Sequence, residues 1–177
     1  DVYSVDIKNG LDILDLSISD LPFDRCDVII AAPPCTDFAS SGAQYWGVKD
    51  TDGRTQASML LVQKTLELIK HFDPKVWAIE NPVGRLPTLF PELGKPWYFN
   101  PHEFAGWNET VEMQERERYT KKTGLWGRFT KPEKEDLGNN PNNNWIMKLG
   151  GKSEKTKELR SMTPMGFAKA FYEANKA

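Results

Sequence analysis

The sequence predicts an α/β fold in which a mostly parallel sheet carries helices on both faces. Three observations carry that expectation. Cys26-Asp27-Val28-Ile29-Ile30-Ala31-Ala32 is an apolar run stopped by Pro33-Pro34, the pattern of a strand buried on both faces. Ala57 to Phe72 places apolar side chains at Met59, Leu60, Leu61, Val62, Leu66, Leu68, Ile69 and Phe72, an amphipathic helix that Asp73-Pro74 ends. Val76-Trp77-Ala78-Ile79 then reads as a second buried strand. Strand, helix and strand in that order require a right-handed parallel crossover.

The flanking elements are shorter. Val2-Tyr3-Ser4-Val5-Asp6-Ile7 is a β-rich run ended by the turn signal Lys8-Asn9-Gly10, and Leu11 to Leu16 alternates apolar with acidic residues as a following strand. Trp97-Tyr98-Phe99 and Tyr119 to Phe129 read as strands, with the charged stretch Gln114 to Arg118 between them. Residues 131–157 are polar and turn-rich, which predicts a loop, and Gly166 to Asn175 predicts a short closing helix. No internal repeat occurs. At 177 residues the chain fits a single domain over 1–177.

Composition narrows the class. Hydrophobic residues make up 39% and charged residues 27%, as in ordinary globular proteins, and no run approaches the roughly 20 apolar residues of a membrane span. The start, Asp1 to Asp6, lacks the basic-then-apolar layout of a signal peptide. Only Cys26 and Cys35 occur, without metal-type spacing, so a reducing, cytoplasmic setting and no metal are expected. The net charge is −2, but residues 116–160 hold twelve Lys and Arg against six Asp and Glu. Such a segment suits a phosphate backbone or, equally, a solvated surface loop.

In parallel α/β sheets chemistry gathers at the carboxyl ends of the strands. Two polar clusters are expected there: Pro33-Pro34-Cys35 after one strand and Glu80-Asn81-Pro82 after the other. The paired prolines stiffen the entry to a loop that presents the Cys35 thiol, whereas Cys26, at the start of its strand, reads as structural. Asp6 closes an early strand, where an acid commonly holds a ribose, although a turn or cap role fits the same position.

Ala32-Pro33-Pro34-Cys35-Thr36-Asp37-Phe38-Ala39-Ser40-Ser41-Gly42 resembles the Pro-Cys loop of cytosine-C5 DNA methyltransferases. Ile79-Glu80-Asn81-Pro82 resembles the family's Glu-Asn-Val element with Pro82 in place of Val, and Gln114-Glu115-Arg116-Glu117-Arg118 its Gln-x-Arg-x-Arg element. The resemblance implies a Rossmann-like, S-adenosylmethionine-dependent methyltransferase fold and methyl transfer to carbon 5 of cytosine in DNA. It implies Cys35 as nucleophile, with Glu80, Arg116 and Arg118 as its catalytic partners. It also implies donor contacts from Asp6, Ile7, Asp12, Ile13 and Pro33, and base or nucleic-acid contacts from Pro34, Ser40, Asn81, Pro82 and Gln114. Asp12 resembles the family's adenine-contacting acid; a turn role is its alternative.

The sequence departs from the family in two places. The first strand and glycine-rich donor loop are expected ahead of Asp1 and are not in this sequence, and only 131–157 remains to serve as a reduced recognition region. Arg160 to Ala168 resembles the family's closing elements loosely. The compact form is similar to small phage- or prophage-type methylases. The same chemistry on RNA or a pyrimidine nucleotide, or a catalytically silent nucleic-acid-binding relative, are the alternatives. An amino-methyltransferase fits less well, because Ala32 and Cys35 stand where those enzymes carry a polar residue and an aromatic one.

Overall fold

The computed structural model describes every residue except Asn144, Gly150, Gly151, Lys152 and Ala177, so part of the expected 131–157 loop lies outside the described residues. The elements run β1 (Val28–Ala31), α1 (Trp46–Thr51), α2 (Arg54–Phe72), β2 (Val76–Pro82), α3 (Leu86–Leu89), β3 (Trp97–Phe99), α4 (Val111–Glu117), β4 (Thr123–Arg128), α5 (Trp145–Lys148), α6 (Glu154–Ser161) and α7 (Met165–Asn175). The four strands form one sheet in the order β1-β2-β4-β3. β1 and β2 pair in parallel, Val28 with Val76 through Ala31 with Ile79, as the β1-α2-β2 crossover requires.

The expected mostly parallel sheet is corrected to a mixed one. Only β1 and β2 are joined by a long crossover helix; β3 and β4 are joined by a segment holding a 3₁₀ turn and the short α4. The expected strand Val2–Ile7 is not formed. Residues 2–6 are irregular, and Ile7–Asn9 make a 3₁₀ turn capped by Asp6. Leu11 to Leu16 likewise turns instead of extending. β-rich composition makes a strand only where a ladder is available, and β1 is an edge of the sheet with Ile30 64% exposed. Residues 131–157 are also not all loop, since α5 and the start of α6 fall within them.

The chain divides into two compact units: Asp1–Trp97 with Gly124–Phe129, and Tyr98–Thr123 with Thr130–Ala177. The first has a core of Phe38, Val62, Ile69, Ile79, Leu86, Phe90 and Trp126. Helix α2 ends where the Asp73 backbone turns left-handed (φ 40°) and its N–H bonds the Ile69 carbonyl; Pro74 prevents continuation. Arg128 fixes that corner through the Asp73 carboxylate at 2.6 Å and the Pro74 carbonyl. The second unit has an aromatic core in which Phe167 stacks on Phe99 at 3.8 Å and meets Phe104 edge-on at 5.3 Å. Among the described residues no helix is long and apolar enough to cross a membrane.

Candidate active site

The first unit carries the thiol. After β1 the chain leaves through Pro33, which is buried, and Pro34, which is exposed, to Cys35, which is exposed. A turn follows at once: the Cys35 carbonyl accepts from the Phe38 N–H at 3.0 Å and the Ala39 N–H at 2.8 Å. Phe38 is fully buried in the core. An apolar anchor three residues after an exposed thiol ties the loop to the core while its reactive group faces water.

The segment after Cys35 is bound to the one after Glu80. Glu80, Asn81 and Pro82 do not follow the second strand, as the sequence suggested, but form its last turn of pleat, because β2 runs on to Pro82. Glu80 is half-buried there. Asn81, next to it, is fully buried and donates from Nδ2 to the Pro33 carbonyl at 3.0 Å. Further along, the Ser40 N–H donates to the Val83 carbonyl at 2.9 Å, the Arg85 N–H donates to the Phe38 carbonyl at 2.9 Å, and Ala39 bridges Gly84. Gly84 permits this: a Cβ there would lie 2.0 Å from the Phe38 carbonyl oxygen. The structure thus ties the segment that carries Cys35 to the one that follows Glu80, through Pro33 with Asn81 and Ser40 with Val83.

Side chains from α1 and α2 complete the frame, and sequence reasoning missed them. Lys49, only 6% exposed, pairs with the Asp37 carboxylate at 3.0 Å and donates to the Thr36 carbonyl. The Ser58 hydroxyl donates to the other oxygen of Asp37. Burial pushes the Asp37 carboxyl up, but Ser58 and Lys49 outweigh it and hold Asp37 below the usual carboxylate range. Arg85 forks onto Asp50 at 2.9 and 2.8 Å, donates from Nε to the Asp37 carbonyl at 3.0 Å, and lies 4.7 Å over the Trp46 ring. An ammonium buried beside a carboxylate leaves no periodic signal, so only the fold exposes it.

Of the expected donor residues, Pro33 follows β1, and the other four lie in the same unit on its amino-terminal turns. Asp6 is exposed and accepts from the Lys8 N–H at 2.7 Å; Asp12 accepts from the Leu14 N–H at 2.9 Å. Each carboxylate therefore caps its own turn. Ile7 is exposed and Ile13 half-buried.

The remaining predicted residues belong to the second unit, on or at the end of α4. Gln114 donates to the Asn108 carbonyl at 2.9 Å. Arg116 is exposed and lies 4.9 Å over the Trp145 ring. Arg118 donates to the Gly138 carbonyl at 3.1 Å and pairs with Glu115 at 2.6 Å. Between them, Glu117 is buried and accepts from the Met165 and Gly166 N–H groups at 2.6 and 3.0 Å and from Asn108 at 2.8 Å. It caps α7, a role hidden in a charged pentad.

Residues 2–88, about half of the chain, match the family model described as C-5 cytosine-specific DNA methylase. That match supports the cytosine-C5 methyltransferase family for this segment. The matched residues hold both Cys35 and Glu80, together with the interlocked segments that carry them. Gln114 to Arg118 lies beyond the match. No curated protein matches the chain.

Proposed function

We propose that the protein transfers a methyl group from S-adenosylmethionine to carbon 5 of cytosine in DNA, on a Rossmann-like methyltransferase scaffold, through a covalent Cys35–base adduct. The observation that carries this reading is the Asn81–Pro33 hydrogen bond, which ties the Pro-Pro-Cys loop to the strand residue next to Glu80. A thiol and a carboxylate held on two interlocked segments suit nucleophilic catalysis with a hydrogen-bonding partner for the base.

Carbon 5 of cytosine is a weak nucleophile. In the proposed reaction the Cys35 thiolate forms a bond to carbon 6, which makes carbon 5 enamine-like. Glu80 holds N3 and the exocyclic amine, so charge that develops on the ring is met by a hydrogen bond or a proton. Carbon 5 takes the methyl group, with S-adenosylhomocysteine as the other product; its proton passes to a base, and the carbon 6–sulfur bond breaks to release the Cys35 thiolate. Arg116, Arg118 and Gln114 are assigned to the nucleic acid or the base carbonyl, and Pro34, Ser40 and Pro82 to the walls around the base. A duplex base must leave the stack to reach Cys35.

Asp6, Ile7, Asp12, Ile13 and Pro33 are the residues assigned to the donor. The nucleoside part fits: Asp6 is exposed and uses one carboxylate oxygen on the Lys8 N–H, which leaves the other for a ribose hydroxyl beside the exposed Ile7. When bound, the donor supplies an electrophilic methyl on a sulfonium. Cytoplasmic action on DNA, as in a small phage-type methylase, is part of the same proposal.

Incubation with methyl-labelled donor and cytosine-containing duplex DNA, single-stranded DNA or RNA tests the reading. Label should enter DNA with wild-type protein and not with Cys35→Ala. Label confined to RNA would move the substrate, and no label in any nucleic acid would remove the methyltransfer reading.

A further inference from the structure

We propose that Lys49 and Arg85 are positioning residues that grip the main chain just after Cys35 and so hold the thiol in register with Glu80. This rests on the methyltransfer reading. The grip is directional. The Lys49 ammonium takes the Thr36 carbonyl and the Arg85 guanidinium takes the next one, Asp37, at 3.0 Å. The Arg85 backbone N–H takes the third, Phe38, at 2.9 Å. Three consecutive carbonyls are thus held, beginning one residue after the nucleophile.

Arg85 is itself fixed by groups outside the loop, and Lys49 by a loop carboxylate that α2 holds in turn. Arg85 is forked onto Asp50, accepted by the Thr55 hydroxyl at 2.8 Å and covered by the Trp46 ring. Thr55 in turn donates to Asp50 at 2.6 Å. Lys49 pairs with Asp37, whose second oxygen is held by Ser58 of α2. The anchors therefore stand on α1 and α2, rigid elements of the kind that holds reacting groups to within a fraction of an ångström.

Stability alone does not account for such a cluster. A buried ion pair is often matched or exceeded in stability by apolar residues of equal volume, because both charges must leave water. Fixed carbonyl acceptors are what apolar residues cannot hold. A loop displaced by about 1 Å costs on the order of 100-fold in rate even when every reacting group is present.

The test uses the full chain and two variants. Arg85→Lys keeps the charge but cannot hold Asp50 and the Asp37 carbonyl together. Lys49→Met is made with Asp37→Asn, so that no unpaired charge is buried. Hydrogen exchange at the Phe38, Ala39 and Ser40 amides should accelerate about tenfold or more in both, with α2 amides unchanged. Single-turnover methyl transfer should fall about 10–100-fold while donor and DNA dissociation constants hold. Alkylation of Cys35 by iodoacetamide should stay at the wild-type rate, since a small reagent needs no alignment with Glu80. Should Arg85→Lys not fold, Asp50→Asn removes the anchor of Arg85 from a half-exposed position and should give the same selective pattern. Unchanged exchange at residues 38–40, a uniform rise across the first unit, or an unchanged transfer rate would each overturn the proposal. If wild-type protein transfers no methyl group, the methyltransfer reading falls by itself, and the exchange pattern alone decides whether the grip exists.

Discussion

Asn81 donates a 3.0 Å hydrogen bond to the carbonyl of Pro33, 48 residues earlier, from a side chain with no exposed surface. Its partner is a carbonyl at the entry to the Cys35 loop, which would otherwise lose an acceptor's partner in a buried place. Asn81→Ala should lower unfolding stability by about 1–3 kcal/mol, the cost of leaving a buried polar group unsatisfied. Urea titration of the two proteins measures it, and a change under a few tenths would show that the Pro33 carbonyl finds another donor.

Gly84→Ala tests how closely the two segments pack. The new Cβ would meet the Phe38 carbonyl oxygen at 2.0 Å and the Ala39 Cα at 2.9 Å, both of them backbone, so the segments must separate. A loss of at least about 1–3 kcal/mol is expected, as for overpacked cores. Equal urea midpoints for Gly84→Ala and wild type would mean that the 38–40 and 83–85 segments are looser than described.

The Asp37 carboxyl makes stability sensitive to acid. Its folded-state pKa lies below the ordinary value, because Ser58 and Lys49 outweigh its burial. Its contribution is therefore complete above the usual carboxylate range near about 4, and is lost as pH falls through the lowered folded value. Urea midpoints measured from neutral to acid pH should drop more steeply for wild type than for Asp37→Asn. Parallel curves would assign the acid sensitivity elsewhere.

In the second unit, Glu117→Gln should loosen α7. The carboxylate accepts from the Met165 and Gly166 N–H groups at the positive end of that helix and from Asn108. Charge-assisted bonds of this kind are worth about 1.5–3 kcal/mol. Hydrogen exchange over residues 165–175 should accelerate in the variant, and unchanged protection there would remove Glu117 as the cap.

What the sequence could reveal follows from what each feature depends on. The β1-α2-β2 unit was legible because apolar period and Pro stops are local, and both strands pair as expected. Cys35 stood out through its neighbours, and the structure leaves it exposed. The end of β2 was misjudged, since Asn81 and Pro82 look like a terminator but Asn81 is satisfied across the fold by Pro33. The strand at Val2–Ile7 failed because a strand exists only with a ladder partner, and Asp6 instead finds the Lys8 N–H two residues on. Lys49, Arg85 and Glu117 were invisible: a charge is read as surface until tertiary structure brings it a partner. Asp37, buried between Lys49 and Ser58, is the same case.

The covalent step is the central claim, and intact-mass measurement tests it most directly. With fluorine at carbon 5 of cytosine, methyl transfer can proceed but elimination cannot, so the base should stay bonded to Cys35 through denaturation. Wild-type protein incubated with 5-fluorocytosine DNA and S-adenosylmethionine should gain the mass of the methylated oligonucleotide. Cys26→Ala should do the same, Cys35→Ala should gain nothing, and Glu80→Gln should form the adduct about 10²–10⁴-fold more slowly. Methylation of ordinary cytosine DNA with no adduct on the fluorinated one, or an adduct that persists in Cys35→Ala, would contradict the account.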